Sequence, residues 1–346
     1  MARRLLWASL ALAPVTIAIH FLAHPGSTTD FVLAAASLIP LAWLIGEATE
    51  HAAHHTGAGV GGFLNATFGN APELIIALFA VSDGLFEVVR GSLTGSVVGN
   101  LLLVLGFSLL FGGRGALDRY SSFLSLSLVA IAALLFLIPA IPGWDGDPER
   151  DSLAQLSILP SVLLLIVYVA ATWYSLRRHR LMHIAAEPSE MRAWSLRLSL
   201  AVLGAATVVT ALIAEILVGS IDEFADSARL SDFFVAAVVV AIVGNAAEHG
   251  GAVVVAARGK ITLAAEIALA SSAQVAVFLI PAVALLSWLI DPLALSFREV
   301  EIGVLAISTI VTAALLADGQ SSRSKGVLLI VTYLAAAVAF FIAGDR

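Results

Sequence analysis

Long apolar segments dominate this chain and limit what it can fold into. Hydrophobic residues make up 60% of the 346 positions and charged residues only 12%, and the mean hydropathy is +0.99. Soluble domains carry about twice that charged fraction. An apolar stretch of about 20 residues crosses a bilayer as a helix, because a helix satisfies its backbone polar groups internally. The sequence therefore predicts an all-α polytopic membrane protein.

Charge, glycine and proline divide the chain into about 11 expected transmembrane helices. They cover residues 5–22, 31–50, 61–82, 91–112, 121–141, 155–176, 197–219, 232–257, 262–288, 300–317 and 326–343. No small-residue cleavage site closes the first apolar run, so that run is expected to remain as a span.

The basic residues predict the orientation. With the N-terminus in the cytoplasm, inside loops hold thirteen of the 18 lysines and arginines, as the positive-inside rule requires. The C-terminus is then expected outside. The net charge of −7 and the absence of a long basic run argue against a nucleic-acid partner.

The most unusual polar feature is a short string that occurs twice. Gly69-Asn70-Ala71-Pro72-Glu73 and Gly244-Asn245-Ala246-Ala247-Glu248 lie 175 positions apart, each inside an apolar stretch. A carboxylate near a bilayer centre costs about 2.5–3.5 kcal/mol, so such a residue is expected to be functional. Hydrophobic segments that are interrupted at corresponding positions in two halves of a chain are typical of transporters whose site lies between two repeats.

The span count predicts how the two copies are related. Each half has five expected spans, and with an odd number the equivalent spans cross the membrane in opposite directions. We therefore expect two inverted five-helix repeats plus one extra N-terminal helix. The expected units are the extra helix at 1–30, the first repeat at 31–176, a basic cytoplasmic linker at 177–196 and the second repeat at 197–346.

The spacing inside each string predicts a cation site. Asn70 and Glu73 are three positions apart, as are Asn245 and Glu248, so each pair shares one helix face. Carboxylate and amide oxygens suit Ca²⁺, which takes six to eight oxygen ligands. The alternative is that these pairs only hold helices together through hydrogen bonds.

Other polar residues are candidates for supporting roles. Ser96, Ser271 and Gln274 could add oxygens to the site, although small and hydroxyl residues also allow close helix contact. Glu47 and Glu215 are expected towards opposite mouths of the ion path. His249 is a candidate proton relay or an interface histidine.

The run from Glu47 to His55 permits several interpretations. Glu47, Glu50 and His51 precede His54 and His55 at helical spacing, which could hold a transition metal. The histidines could instead sense pH or form a polar helix end. No HExxH string, nucleotide-binding loop or nucleophile motif occurs, so no enzyme activity or cofactor is expected.

Three segments together resemble a known family. Residues 46–50 (GEATE), 61–70 (GGFLNATFGN) and 243–249 (VGNAAEH) are similar to the paired signatures of the Ca²⁺/H⁺ antiporter (CAX) family of the cation/Ca²⁺ exchanger superfamily. The resemblance implies ten core helices in two inverted repeats plus one extra helix. It also implies that Glu73 and Glu248 are the metal ligands and bind Ca²⁺ and protons in turn.

The expected function is a secondary antiporter that exchanges cytoplasmic Ca²⁺ for external H⁺ by alternating access. Its partners are then Ca²⁺ and H⁺ as substrates and the lipid bilayer, and its location a prokaryotic inner membrane. A Na⁺- or K⁺-coupled divalent exchanger stays open within the same class. A passive cation channel and a membrane scaffold are the alternatives from other classes.

Overall fold

The computed structural model describes residues 2–24, 26–181 and 194–345, with only the backbone described at 2–4, 57–63, 65–66, 175–181 and 247–248. The described chain is almost entirely helical. Its α-helices are α1 (Ala2–Ser9), α2 (Leu12–Ala23), α3 (Ser27–Gly69), α4 (Ala71–Ser82), α5 (Phe86–Val98), α6 (Leu105–Gly112), α7 (Arg119–Gly143), α8 (Asp151–Leu181), α9 (Leu196–Val218), α10 (Ile221–Ala228), α11 (Asp232–Phe234), α12 (Ala241–Gly244), α13 (Ala246–Ala257), α14 (Ile261–Gln274), α15 (Ile280–Leu286), α16 (Glu299–Leu316) and α17 (Arg323–Ala343).

Shorter elements connect several of these helices. Helical turns with π geometry join α5 to α6, α11 to α12 and α14 to α15, and a 3₁₀ turn follows α15. Their bounds are Gly99–Val104, Val235–Val240, Val275–Leu279 and Ser287–Leu289. Two strands of two residues, β1 (Gly115–Ala116) and β2 (Gln320–Ser321), pair antiparallel.

The helices confirm a polytopic membrane protein but do not confirm the expected count of 11 transmembrane helices. Within the described ranges, nine helical segments are long and apolar enough to span a membrane. The count reaches ten if α10 and the segment Asp232–Gly244, which meet at an angle of 107°, form one broken span.

The expected third span, 61–82, is not one helix. Residues 51–60, expected to be a loop, continue α3, which runs for 43 residues. The chain then breaks at Asn70, and α4 has only 12 residues, about 18 Å of helix against a hydrocarbon core of about 30 Å. Glycines in a helix cost only about 1 kcal/mol each, so those near 57–62 do not end α3. Pro72 lies in the first turn of α4, where proline favours a helix start.

The two halves repeat one another closely in this region. Both α4 and α13 have 12 residues and start 175 positions apart. Each ends in a turn whose glycine has positive φ, 74° at Gly84 and 82° at Gly259, a conformation that other residues adopt only at a cost. The next helix then carries a π turn in both halves, at Gly99–Val104 and Val275–Leu279.

The segments Phe86–Gly112 and Ile261–Leu289 lie at the centre of the molecule. In the most apolar 18-residue stretch of each segment, 83% and 67% is buried inside the protein, whereas the value for Arg323–Ala343 is 28%. The helices that carry Ser96 and Ser271 are therefore surrounded by protein, whereas the last helix faces the lipid.

Loops expected on the same side of the membrane contact one another. Among loops and span ends expected inside, Gly115 pairs with Ser321, Thr262 Oγ1 donates to Ala116 O at 2.8 Å and Trp7 contacts Trp194. Among loops expected outside, Trp144 Nε1 donates to Phe297 O at 3.0 Å, Arg298 Nη1 donates to Gly344 O at 2.7 Å and Ser27 bonds to Glu223.

One residue expected in an outside loop lies in the core instead. Arg90 belongs to α5 and is 1% exposed. Its guanidinium donates to both carboxylate oxygens of Glu149, at 2.6 and 3.1 Å, and to Ala294 O at 3.2 Å. A buried arginine is tolerated because a bidentate carboxylate compensates its charge.

Candidate cation site

Both copies of the duplicated string interrupt their helices at the asparagine. Asn70 separates α3 from α4, and Asn245 separates α12 from α13. The backbone angles are nearly the same, φ −97° and ψ 15° at Asn70 and φ −91° and ψ 3° at Asn245. Irregular backbone at membrane depth occurs where protein buries it or a cavity borders it, and both asparagines are 1% exposed.

The Asn245 side chain does not cap the helix that it precedes. Asparagine at such a position usually accepts a bond from the first turn, but this cap bond is missing in α13. Instead, Asn245 Nδ2 donates to Ser96 Oγ at 2.7 Å and to Ala241 O at 3.0 Å. The amide therefore joins the string of the second half to the central helix of the first half.

Asn100 extends this connection. It lies one turn after Ser96, and its Nδ2 donates to Ser271 Oγ at 3.0 Å and lies 3.5 Å from Asn245 Oδ1. Ser96, Asn100, Asn245 and Ser271 thus form one buried polar cluster, with two members from each half. We call these four residues the polar cluster.

Glu73 lies beside this cluster. It is in the first turn of α4 and 7% exposed. Its side chain lies against Gly244, where an added Cβ would approach Glu73 Cγ to 3.3 Å and Oε1 to 3.8 Å. The carboxylate of the first half therefore touches the glycine of the second string.

A small cavity separates Glu73 from the central helix. Its volume is about 10 Å³, roughly the space for one water molecule. The lining residues are Glu73, Ile76, Ser92, Leu93, Ser96, Val240 and Ala241. Glu73 and Ser96 thus face a common space.

The other residues predicted for the cation site differ in how closely the structure associates them with the polar cluster. Ser271 belongs to the polar cluster, while Gln274 ends α14 and is half-buried. His249 is half-buried in α13. The side chain of Glu248 lies outside the described residues, although its backbone is in the first turn of α13, as Glu73 is in α4.

The predicted mouth residues are separate from the cluster. His51 Nε2 lies 3.5 Å from Glu47 Oε1, and the His51 ring stacks on Trp194 with centroids 4.5 Å apart. Glu50 is exposed, as is Glu215 near the end of α9. Among described residues, no group of three or more histidines and acidic residues is arranged to hold a metal ion, so the run 47–55 gains no support as a metal site.

Sequence reasoning missed Glu301. It is 1% exposed and accepts bonds from Thr94 Oγ1 at 3.2 Å and from Arg298 N at 2.7 Å. Glu301 accepts from the N-cap backbone as the glutamate of a capping box does, but arginine at the N-cap is not part of that sequence signature, so the sequence did not mark it. Trp194 was also missed, since its partners Trp7, His51 and His55 lie far earlier in the chain.

In this helical membrane protein, each half contributes a broken helix and a polar central helix to one buried cluster. This is the architecture of a secondary transporter. The chain belongs to the sodium/calcium exchanger protein family, whose profile matches residues 9–177 and 198–342.

Similar proteins extend over nearly the whole chain. The Ca²⁺/H⁺ antiporter of Synechocystis is 35% identical, covering 96% of this chain and 95% of the relative. The Ca²⁺/H⁺ antiporter ChaA of Bacillus subtilis is 36% identical, covering 93% and 94%. The vacuolar cation/proton exchanger 1 of Arabidopsis thaliana is 37% identical, covering 90% and 72%.

Solved structures agree with the fold. Native YfkE superposes with a TM-score of 0.83 at 33% identity, covering 97% of this chain and 99% of that one. The H⁺/Ca²⁺ exchanger CAX gives a TM-score of 0.75, covering 99% and 92%. At 15% identity, this second likeness concerns the fold alone.

Proposed function

We propose that the protein exchanges cytoplasmic Ca²⁺ for external H⁺ by alternating access, with Glu73 and Glu248 binding the cation and the protons in turn. The observation that carries the proposal is the buried polar cluster beside Glu73, where both halves meet. The relatives named as Ca²⁺/H⁺ antiporters support the choice of ions. Ca²⁺ is the substrate, and no cofactor takes part.

Charge balance explains why two glutamates suit this exchange. An uncompensated charge near the bilayer centre is expensive. Two ionised carboxylates offset one Ca²⁺, and two protonated carboxylates are neutral without it. The site therefore has a low charge in both loaded states, while the empty ionised site is disfavoured. This is the condition for obligatory exchange rather than leak.

The remaining ligands are neutral oxygens. Ca²⁺ takes six to eight oxygens at about 2.3–2.6 Å. Asn70, Asn245, Ser96, Ser271 and Gln274 are the proposed supplementary donors. By the equivalence of the two strings, Glu248 is proposed as the second acidic ligand.

Alternating access is proposed to arise from the two repeats, 31–176 and 197–346, moving around this centre, with 1–30 as the added helix and 177–196 as the linker. Glu47, Glu50 and His51 would serve the cytoplasmic mouth. Glu215 would serve the outer mouth, and His249 would relay protons. The positive-inside count supports a cytoplasmic N-terminus, and the proposed location is a prokaryotic inner membrane.

Glutamine substitution tests the proposal. Glu73→Gln and Glu248→Gln keep the side-chain shape but remove both the charge that offsets Ca²⁺ and the proton that returns. Each should reduce pH-driven Ca²⁺ uptake into inverted vesicles to the level of empty vesicles. Glu299→Gln, an exposed glutamate in the first turn of α16, is the matched control and should transport normally.

Folding must be checked in the same experiment. Both variants should elute as monodisperse protein with wild-type thermal stability in detergent. Wild-type uptake by either central variant would contradict the assignment of that glutamate.

Membership of the sodium/calcium exchanger family keeps Na⁺ coupling as the second candidate. Replacing the pH gradient by an inward Na⁺ gradient distinguishes the two. Under our proposal, a Na⁺ gradient at equal pH on both sides drives no Ca²⁺ uptake.

A further inference from the structure

A polar pocket lies far from the cation site, between the end of α6 and the start of α17. It has a volume of about 480 Å³. It is lined by Gly112, Gly113, Arg114, Ser322, Arg323 and Ser324. Nothing in the proposed transport cycle uses this pocket.

The walls of the pocket are fixed by hydrogen bonds. Ser321 Oγ donates to Gly113 O at 2.7 Å and reaches Gly115 O at 3.1 Å. The paired strands β1 and β2 hold the same two loops together. The pocket is therefore formed before any ligand arrives.

Two arginines give the pocket a positive charge. Arg114 and Arg323 are exposed, and the Arg323 Nε lies 3.8 Å from the position of a Cβ built on Gly113. Within the part of the chain that the structure describes, neither arginine forms an ion pair. Asp318, five positions before Arg323, is paired with Lys325 Nζ at 2.6 Å.

A hydroxyl hydrogen is also available to a ligand. The hydroxyls of Ser322 and Ser324 lie 3.0 Å apart, and Ser322 Oγ accepts a bond from Lys325 N. One hydroxyl hydrogen forms the serine–serine bond, which leaves the second able to donate into the pocket. Two planar guanidiniums and one hydroxyl are donors suited to a phosphate group.

The surface next to the pocket is apolar and faces lipid. Phe111 immediately precedes the pocket and is 57% exposed, while Val327 and Leu328, one turn into α17, are 47% and 51% exposed. A ligand with an anionic head and an apolar tail would fit both surfaces at once. Basic pockets between membrane helices on the cytoplasmic side have this property.

We propose that this pocket binds the phosphate group of an anionic phospholipid, with the acyl chains along Phe111, Val327 and Leu328. The lipid comes from the leaflet that the charge distribution assigns to the cytoplasm. Free inorganic phosphate shares the head-group chemistry, and the test below separates the two sources.

The test removes the two guanidiniums and counts retained lipid. Purified wild type and the Arg114→Gln/Arg323→Gln variant are titrated with phosphatidylglycerol in detergent, and bound lipid is measured by native mass spectrometry. Each basic residue near an anionic surface contributes about 1 kcal/mol, so the variant should bind about thirty-fold more weakly. The wild type should retain phosphatidylglycerol in preference to phosphatidylcholine.

A matched double variant controls for net charge. Arg258→Gln/Lys260→Gln removes two charges from the turn before α14, which lies on the same face because Thr262 bonds to Ala116, but these residues do not line the pocket. It should bind phosphatidylglycerol as wild type does. Arg323→Lys keeps the charge without the planar fork and should weaken binding less than the double variant.

Three results would overturn the proposal: equal weakening in both double variants, wild-type binding by Arg114→Gln/Arg323→Gln, or equal retention of phosphatidylcholine. Inorganic phosphate and a soluble lipid head group are also compared as competitors of phosphatidylglycerol. If both displace it at the same concentration, the pocket is a phosphate site and the proposal that its ligand is a lipid is overturned. Transport activity does not enter this test, so its outcome is independent of the proposed function.

Discussion

At the scale of single residues, the site depends on glycine as much as on glutamate. Gly244 leaves just enough space for the Glu73 side chain, and the equivalent Gly69 occupies the same place in the first string. The asparagines add the hydrogen bonds that fix the two halves together. Each such buried bond contributes about 0.5–1.5 kcal/mol, so their main effect is to position oxygens.

Gly244→Ala tests the close contact at Glu73. The new Cβ would lie 3.3 Å from Glu73 Cγ, so the carboxylate must shift by a few tenths of an ångström. We expect a raised KM for Ca²⁺ with the fold intact, measured as initial uptake into inverted vesicles. Gly250→Ala, in α13 just after the break at Asn245, is the matched control, because nothing lies within 4 Å of its Cβ. An unchanged KM in Gly244→Ala would show that this contact does not position the carboxylate.

Much of this site could be predicted from residue types alone. The duplicated string identified Asn245, and Ser96 and Ser271 were candidates for added oxygens; the structure brings these three together with Asn100. The role of Gly244 could not be predicted, because it depends on how two segments 171 positions apart meet in space. The burial of Arg90 was missed because a charge at the end of an apolar run looks like a loop residue.

At the scale of helices, a close contact at Gly95 joins the two halves. At Gly95 in α5, an added Cβ would lie 2.0 Å from Ala237 O in the Val235–Val240 turn. This contact holds the Ser96 helix against the segment that leads to Asn245. Small residues at such contacts allow helix backbones to approach closely in membranes.

Gly95→Ala should therefore destabilise the protein. A contact of 2.0 Å requires the backbones to separate, and overpacking typically costs about 1–3 kcal/mol. Gly99→Ala lies one turn further on with open space at its Cβ and should leave stability unchanged or raised. Thermal unfolding in detergent compares the two. A Gly95→Ala variant as stable as Gly99→Ala would contradict the close contact between the halves.

Helix breaks were harder to predict than helices. The expected spans left residues 51–60 between two helices, but α3 continues through them and the break is the single residue Asn70. One polar residue between two apolar runs does not interrupt a hydropathy pattern. The second break, at Asn245, falls inside the expected span 232–257 for the same reason.

At the scale of the whole molecule, the two halves and the two loop faces form one arrangement. The equivalence of α4 with α13 and the contacts among loops of each expected side fit a bundle crossed by the chain many times. The central segments are largely buried, whereas the last helix is mostly exposed to lipid.

Single cysteines test the predicted sides. The chain has no cysteine, so an introduced thiol is the only target for a membrane-impermeant reagent. Ser227→Cys, in the exposed turn of α10, should react from outside intact cells. Ser324→Cys, at the start of α17, should react only in inverted vesicles. Labelling of both from the same side would contradict the predicted orientation.

The coupling ratio connects the site to the energetics of transport. Expelling Ca²⁺ against a ten-thousand-fold gradient costs about 5.5 kcal/mol, and moving two charges against 100 mV adds about 4.6 kcal/mol. A proton entering down one pH unit and the same voltage returns about 3.7 kcal/mol. Two protons give about 7.4 kcal/mol, so either the gradient is shallower or a third group such as His249 also carries a proton.

The reversal condition of purified protein in proteoliposomes tests the two-glutamate exchange most directly. Ca²⁺ flux is measured at fixed Ca²⁺ gradients while the pH gradient and membrane voltage are varied until net flux vanishes. Exchange at Glu73 and Glu248 predicts two H⁺ per Ca²⁺, rising towards three where a third group such as His249 also carries a proton. A ratio of one or below, or a Ca²⁺ flux that does not respond to the pH gradient at constant voltage, would contradict it.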